Sequence, residues 1–145
     1  MIKLREMSKT NFLPVINLKL SEEDRGMVAP NMYSLAEAYC DKKSIAKAIT
    51  IDDIIIGFIM YEYDKKKKQG HIARLMIATE FQGKGYGTKA LSIVLKEINK
   101  QKGSKRIDIS YRPDNEKARK CYEKLGFIET GDIDEGEVVA ILELN

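Results

Sequence analysis

The stretch richest in chemical content is Gln82-Gly83-Lys84-Gly85-Tyr86-Gly87-Thr88, a turn between a strand ending near Ile77 and a helix starting near Gly85. Three alternating glycines let the backbone curl so that successive amides point inward. The following helix adds its unpaired first-turn N–H groups and the positive end of its dipole. Such a turn holds a phosphate or pyrophosphate; a glycine-rich connection without a ligand is the other reading of the loop taken alone. It lacks the Lys-Ser/Thr ending of a nucleotide P-loop, and glycines at 83, 85 and 87 do not make the dinucleotide pattern G-x-G-x-x-G. The spacing Q-x-x-G-x-G, from Gln82 to Gly87, is a different pattern.

Other reactive side chains are few. Cys40 and Cys121 cannot build a disulfide framework, and one histidine, His71, cannot anchor a histidine-rich metal site, so no metal is expected. Cys121 is a conceivable acyl-carrying nucleophile, but it has no candidate partner nearby to act as its base and it should point off another side of its helix than Tyr122.

These groups need elements to hold them. Ile2 and Leu4 alternate with Lys3 and Arg5 as in a half-buried strand. A first helix is expected from about Thr10 to Leu20, with Pro14 in its first turn. Ser34-Leu35-Ala36-Glu37 reads as a capping box opening a second helix that ends near Asp41 to Lys43. Ile45 to Ile51 and Ile54 to Tyr63 form a hairpin through Asp52-Asp53. Lys65 to Gly70 make a second turn, and His71 to Ile77 a further strand. Leu91, Val94, Leu95 and Ile98 recur at helical spacing between Gly85 and Lys102, with Gly103 as a stop. A strand over Arg106 to Tyr111, a short helix over Asn115 to Leu125 ended by Gly126, and strands near 127 to 130 and 137 to 144 complete the chain. The order β α α β β β α β α β β predicts one α/β (α+β) domain over residues 1–145, its sheet largely antiparallel around one parallel pair.

The chain has 145 residues, 43% hydrophobic and 32% charged, enough apolar side chain for one core and unlike a disordered chain. No apolar run reaches the roughly 20 residues of a membrane span. The N-terminus has no secretory pattern, so a cytoplasmic location is expected and no membrane partner. The 25 basic and 22 acidic residues call for no nucleic-acid partner. Their distribution is uneven: five acids face one base between Leu20 and Asp41, and five acids with no base follow Thr130, around a basic middle. Solvated faces are the plain reading of each cluster. The functional one is an anion near the basic part and a cation near the acidic parts.

Leu75-Met76-Ile77, the run Phe81-Gln82-Gly83-Lys84-Gly85-Tyr86-Gly87-Thr88, then Asn115, Ala118, Tyr122 and Gly126-Phe127 together resemble the GNAT N-acetyltransferase superfamily. The resemblance covers nearly the whole chain and implies a GNAT fold, a mixed sheet flanked by about four helices, with a splayed parallel strand pair holding acetyl-CoA. It implies that backbone groups of Leu75, Met76 and Ile77 pair with the pantetheine arm. Gly83 to Thr88 would hold the pyrophosphate with Gln82 at the head of the motif and Lys84 adding charge. Asn115 would reach the pantetheine side, and Lys117 or Lys124 the phosphates. Tyr122 matches the family tyrosine that protonates or hydrogen-bonds the departing thiolate, with packing beneath the cofactor as its alternative. A base is also needed, because only about a thousandth of an ammonium of pKa near 10 is neutral at pH 7. His71 stands where some members carry a catalytic glutamate, and by strand alternation it would share a face with Ala73 and Leu75. Glu62 and Glu37, through water, are its rivals; Ser110 occupies a position where other members have a carboxylate.

Met27 to Tyr39, Gly126 to Gly131 and Gly136 to Val139 look like the bacterial spermine/spermidine N-acetyltransferases. That resemblance implies a small cationic amine as partner, bound by Glu37 and Glu62 and by the cation–π faces of Tyr33 and Tyr39, with homodimer formation left open. The rivals are acetylation of a protein N-terminus, lysine or amino sugar, and a non-catalytic acetyl-CoA sensor.

Overall fold

A computed structural model describes residues 1–144. Its elements are β1 (Ile2–Glu6), α1 (Phe12–Ile16), α2 (Glu22–Arg25), α3 (Asn31–Cys40), β2 (Ile45–Ile51), β3 (Ile54–Asp64), β4 (Gln69–Ile77), a 3-10 turn (Thr79–Phe81), α4 (Tyr86–Asn99), β5 (Arg106–Tyr111), α5 (Glu116–Lys124), β6 (Ile128–Asp134) and β7 (Glu137–Glu143). The seven strands form one sheet in the order β1-β2-β3-β4-β5-β7-β6. All neighbours are antiparallel except β4 and β5. The expected mixed sheet with one parallel pair is therefore present, and two of its five helices are short.

The sheet is covered on both faces, because strands such as β3 are apolar in nearly every position and cannot leave a face in water. One face packs under α4 and α5: Ala90, Leu91, Val94 and Ile98 of α4 meet Ile59, Ile72, Ile107 and Ile109. The other carries α1 and α3, where Val15, Leu35 and Ala38 meet Phe58, Met60 and Met76. Buried Asn31 locks the second layer, its Nδ2 donating to the Val15 carbonyl at 2.9 Å. The Asp52-Asp53 hairpin forms as expected, both residues left-handed as a two-residue turn requires.

Three local expectations fail. The first helix stops at Ile16 and the short α2 appears after it. The Thr79 amide takes the Lys19 carbonyl at 3.0 Å, and the Ser21 amide takes Thr79 Oγ1 at 2.7 Å, so this segment is spent on the loop after β4. The capping box does not form: α3 starts at Asn31, which puts Ser34 inside the helix, fully buried, with its Oγ unpaired. Third, Gln69 and Gly70 belong to β4 rather than to the turn before it.

The feature that shapes the site is where β4 leaves its partners. Parallel pairing with β5 covers four positions, Gln69↔Arg106 to Ile72↔Ile109, and none beyond. On its other side β4 stays paired with β3 to Ile77, but the register shifts so that Met60 faces Arg74 and Tyr61 faces Ile72, leaving Ala73 as a bulge. The bulge bends β4 away from β5, so its edge from Ala73 onward faces an open cleft.

Candidate active site

The cleft measures about 1080 Å³ and is lined by the free part of β4, the glycine turn, the C-terminal end of β5, α5 and the segment from Leu20 to Ala29. At one end lies the Gly83 to Thr88 backbone. Gly83 and Gly85 both have φ +80°, a left-handed conformation that costs a residue with a Cβ roughly 1–2 kcal/mol. Gly87 has ordinary helical backbone and needs no such freedom, so two of the three glycines make the turn. The first amide of this stretch to find a partner is that of Lys89, to the Gly85 carbonyl at 3.1 Å; those of Gly83 to Thr88 have none among the described residues. Six consecutive unpaired donors at a helix N-terminus form a cradle for a diphosphate. Gln82 fixes the cradle to the strand end, its Nε2 donating to the Ile77 carbonyl at 2.8 Å.

Next to the cradle lies the free edge of β4. Leu75, Met76 and Ile77 pair with β3 on one side and have no strand on the other. An extended amide chain laid in the cleft can pair with that edge as an added strand would. Tyr122 forms part of the opposite wall. Its ring is 7% exposed and packs on Tyr111 and Phe127 at 5.4 and 6.0 Å between centroids. Its hydroxyl has no hydrogen-bond partner among the described residues. Burial raises the phenol well above its ordinary pKa, so it enters the neutral range fully protonated. Cys121, expected on another side of the helix than Tyr122, also lines the cleft, with Sγ 3.3 Å from Thr88 Oγ1. Burial also pushes that thiol up, which removes the thiolate a nucleophile requires.

Asn115 caps α5, its Oδ1 accepting from the Ala118 amide at 3.2 Å, which leaves Nδ2 for the cleft. Lys124 and, not anticipated, Lys120 line the cleft. Lys117 does too, but its Nζ donates to both Asp24 oxygens at 3.2 Å and to Gln82 Oε1 at 3.1 Å, so its charge is committed across the mouth. Lys84 is exposed and does not line the cleft.

The expected base and amine-binding residues lie elsewhere. His71 sits at the closed, paired end of β4, its Nδ1 2.9 Å from Asp108 Oδ1, and it does not line the cleft. The Asp108 hydrogen bond outweighs burial and holds its pKa above the ordinary value. The bulge also cancels the expected alternation: Leu75 joins the core under α4, whereas Ala73 faces the other layer. Tyr33, Glu37, Tyr39 and Glu62 are likewise outside the cleft, with Tyr39 88% exposed. Glu37 reaches it indirectly, through its ion pair at 3.1 Å with Arg74, a cleft residue. Two carboxylates of the acidic stretch after Thr130, Glu135 and Glu137, which the sequence did not single out as site residues, line the wall near Ser110. Only the sheet order, which sets β7 beside β5, brings them there.

A splayed parallel pair, a run of unpaired amides at a helix N-terminus and a protonated phenol on the facing wall make a cleft suited to an acyl-CoA thioester and to transfer of its acyl group. The model of the acetyltransferase (GNAT) family matches residues 15–127, and the chain belongs to that family. It is 27% identical over 150 aligned positions to the spermine/spermidine N(1)-acetyltransferase of Bacillus subtilis (strain 168), covering 99% of each chain. It is 34% identical to the N-alpha-acetyltransferase 30 of Schizosaccharomyces pombe over 79 positions, 52% of each chain. Among solved structures, the spermidine N-acetyltransferase of Vibrio cholerae in complex with CoA and spermine superposes with a TM-score of 0.78 at 19% identity, over 98% of this chain and 95% of that one. That likeness carries the fold.

Proposed function

We propose that the chain moves an acetyl group from acetyl-CoA to a primary amine of a polyamine such as spermine or spermidine. In this reading Gly83 to Thr88 bind the pyrophosphate, with Lys120 and Lys124 supplying positive charge nearby. The edge at Leu75 to Ile77 takes the pantetheine arm, one of its N–H groups polarising the thioester carbonyl. The Asn115 Nδ2 meets the same arm. Tyr122 gives its proton, or a hydrogen bond, to the sulfur as it leaves.

The observation that carries the acceptor is the charge of the cleft away from the cradle. Arg74 is bound to Glu37, Lys117 to Asp24 and Arg112 to Asp114, whereas Glu135 and Glu137 have no ion pair among the described residues. Two unneutralised carboxylates favour an acceptor carrying several positive charges. The similarity along the full length to a protein named for spermine and spermidine acetylation supports the same class. The half-length similarity to an N-alpha-acetyltransferase supports a protein N-terminus as the competing acceptor.

Release of free thiol from acetyl-CoA, measured with spermine, spermidine, a monoamine and a peptide bearing a free N-terminus, separates these readings. Spermine or spermidine should give the highest kcat/KM. A preference for the peptide transfers the chain to the competing class. Tight acetyl-CoA binding without turnover on any acceptor makes it a sensor.

A further inference from the structure

We propose that Glu137 receives the acceptor's amine and takes its proton. The inference rests on the amine acetyltransferase reading and supplies the base that neither the position of His71 nor the serine at 110 provides.

The argument begins with strand register. β7 pairs with β5 through Val139↔Ser110 and Val138↔Tyr111. Val138 and Ala140 belong to the core under α4 and α5, so by alternation Glu137 lies on the opposite face of the sheet, with Ser110. Both sit at the end of β5 where β4 has already turned away, whereas His71 is four residues short of Leu75 on the closed part of the pair. Ser110 Oγ donates to Glu137 Oε1 at 3.3 Å. A serine on β5 thus orients a carboxylate brought in from β7.

Glu137 is the best placed cleft carboxylate. Asp24 is taken by Lys117, and Glu135 is exposed on the β6–β7 turn. Glu137 is half-buried and has Ser110 as an orienting partner. The ionisable groups around it come from every neighbouring element. Asp134 is opposite on β6, Asp108 lies two residues before Ser110 on β5, and Tyr122 stands on α5. Arg74 and Arg112 are cations of the same cleft, but the first is held by Glu37 and the second by Asp114 and the Gly26 carbonyl. Among the described residues no cation, Lys120 and Lys124 of the same cleft included, is paired with Glu137, which leaves it open to an ammonium. The Glu137 charge is also felt at Tyr122, where it adds to the larger effect of burial in keeping the phenol protonated.

The proton balance closes without another reagent. The ammonium gives one proton to Glu137, which passes it to water. The freed lone pair forms the C–N bond to the acetyl carbon, and the C–S bond breaks. The sulfur leaves hydrogen-bonded to the Tyr122 hydroxyl, and the second proton lost from nitrogen reaches the thiolate by way of that hydroxyl, so Tyr122 ends protonated. The products are the N-acetyl amine, the CoA thiol and one proton.

The test compares wild type with Glu137→Gln, which keeps the shape and a hydrogen-bonding oxygen for Ser110 but cannot accept the proton. At about pH 7 we expect kcat/KM for spermidine to fall by roughly 100 to 10,000-fold, the range of one acid–base group. Near pH 10, where about a third of an ordinary amine is already neutral, the deficit should shrink at least tenfold. CoA affinity, by calorimetric titration, should stay within about threefold. Ser110→Ala, which leaves the carboxylate in place, should lose less than Glu137→Gln and keep the wild-type pH profile, and it serves as the second variant if Glu137→Gln folds poorly. An unchanged kcat/KM in Glu137→Gln, an equal deficit at both pH values, or a Ser110→Ala deficit that vanishes at high pH overturns the proposal while wild-type turnover leaves the amine reading intact. Absence of wild-type turnover on every amine overturns both.

Discussion

Tyr122→Phe removes one oxygen from the cleft wall, and the structure sets the size of the effect on both stability and rate. The hydroxyl has no protein hydrogen-bond partner among the described residues, and the ring that remains keeps its packing on Tyr111 and Phe127. No buried partner is orphaned and no cavity opens, so stability should change by no more than about 0.5–1 kcal/mol. The rate should change far more. Burial raises the phenol above its ordinary pKa, whereas a thiol leaves with a pKa near 8.5, so complete transfer of the proton to the sulfur is uphill. The gain then comes chiefly from a hydrogen bond to a developing thiolate, worth about 1.5–3 kcal/mol. At 1.36 kcal/mol per factor of ten, kcat should fall by roughly 10 to 150-fold. Initial rates of thiol release at saturating spermidine should show that loss with the KM for acetyl-CoA within about twofold. Because the phenol stays protonated through the neutral range, the ratio of wild-type to variant kcat should be flat from about pH 6 to about pH 9. A raised KM with unchanged kcat, or a melting point several degrees lower, would return Tyr122 to a packing role.

Gly85→Asp places a Cβ at φ +80° and a negative charge among the unpaired amides, and an added Cβ meets no protein atom within 4 Å. The variant should fold, at a cost of roughly 1–2 kcal/mol, and bind CoA more than tenfold more weakly in calorimetry; unchanged affinity would remove the cradle from the site. Glu37→Gln frees Arg74, a cleft residue, from its ion pair. The ratio of spermine to monoamine kcat/KM should therefore fall at low salt and converge with wild type at high salt, and a ratio that is flat throughout would sever Glu37 from substrate choice. Tyr61, Tyr111 and Tyr122 are all raised by burial first of all, Tyr111 to about 12. Each is thus protonated in the fold at a pH where the unfolded phenol ionises, a contribution fully present below about pH 10 and lost as pH rises through the folded values. The melting temperature should drop steeply above about pH 10, and Tyr111→Phe should soften that drop; a flat profile to pH 11 would contradict it.

What depends on neighbours in sequence was legible in the sequence. The period of Leu91, Val94 and Ile98 gave α4, the aspartate pair gave the hairpin turn, and the alternating glycines at 83, 85 and 87 announced a curled turn ahead of a helix, of which Gly83 and Gly85 take the left-handed backbone. Those features follow from the chain's own periodicity and sterics, and with Tyr122 and Asn115 they were enough to reach the family. The capping box, equally local on paper, lost to tertiary packing. Pro30 starts α3 four residues earlier than Ser34 would, and burial then takes Ser34 while Arg74 takes Glu37. Only the folded sheet decided the acceptor side of the cleft. The Ala73 bulge depends on the register of β3 against β4, and it moved Leu75 off the face that simple alternation assigned. His71 was drawn to Asp108, Lys117 to Asp24 and Glu137 to Ser110 across separations of 37, 93 and 27 residues. Ion pairs and strand neighbours at such separations leave no periodic trace in the chain, because the energy that selects them is collected only after the strands that carry them have paired.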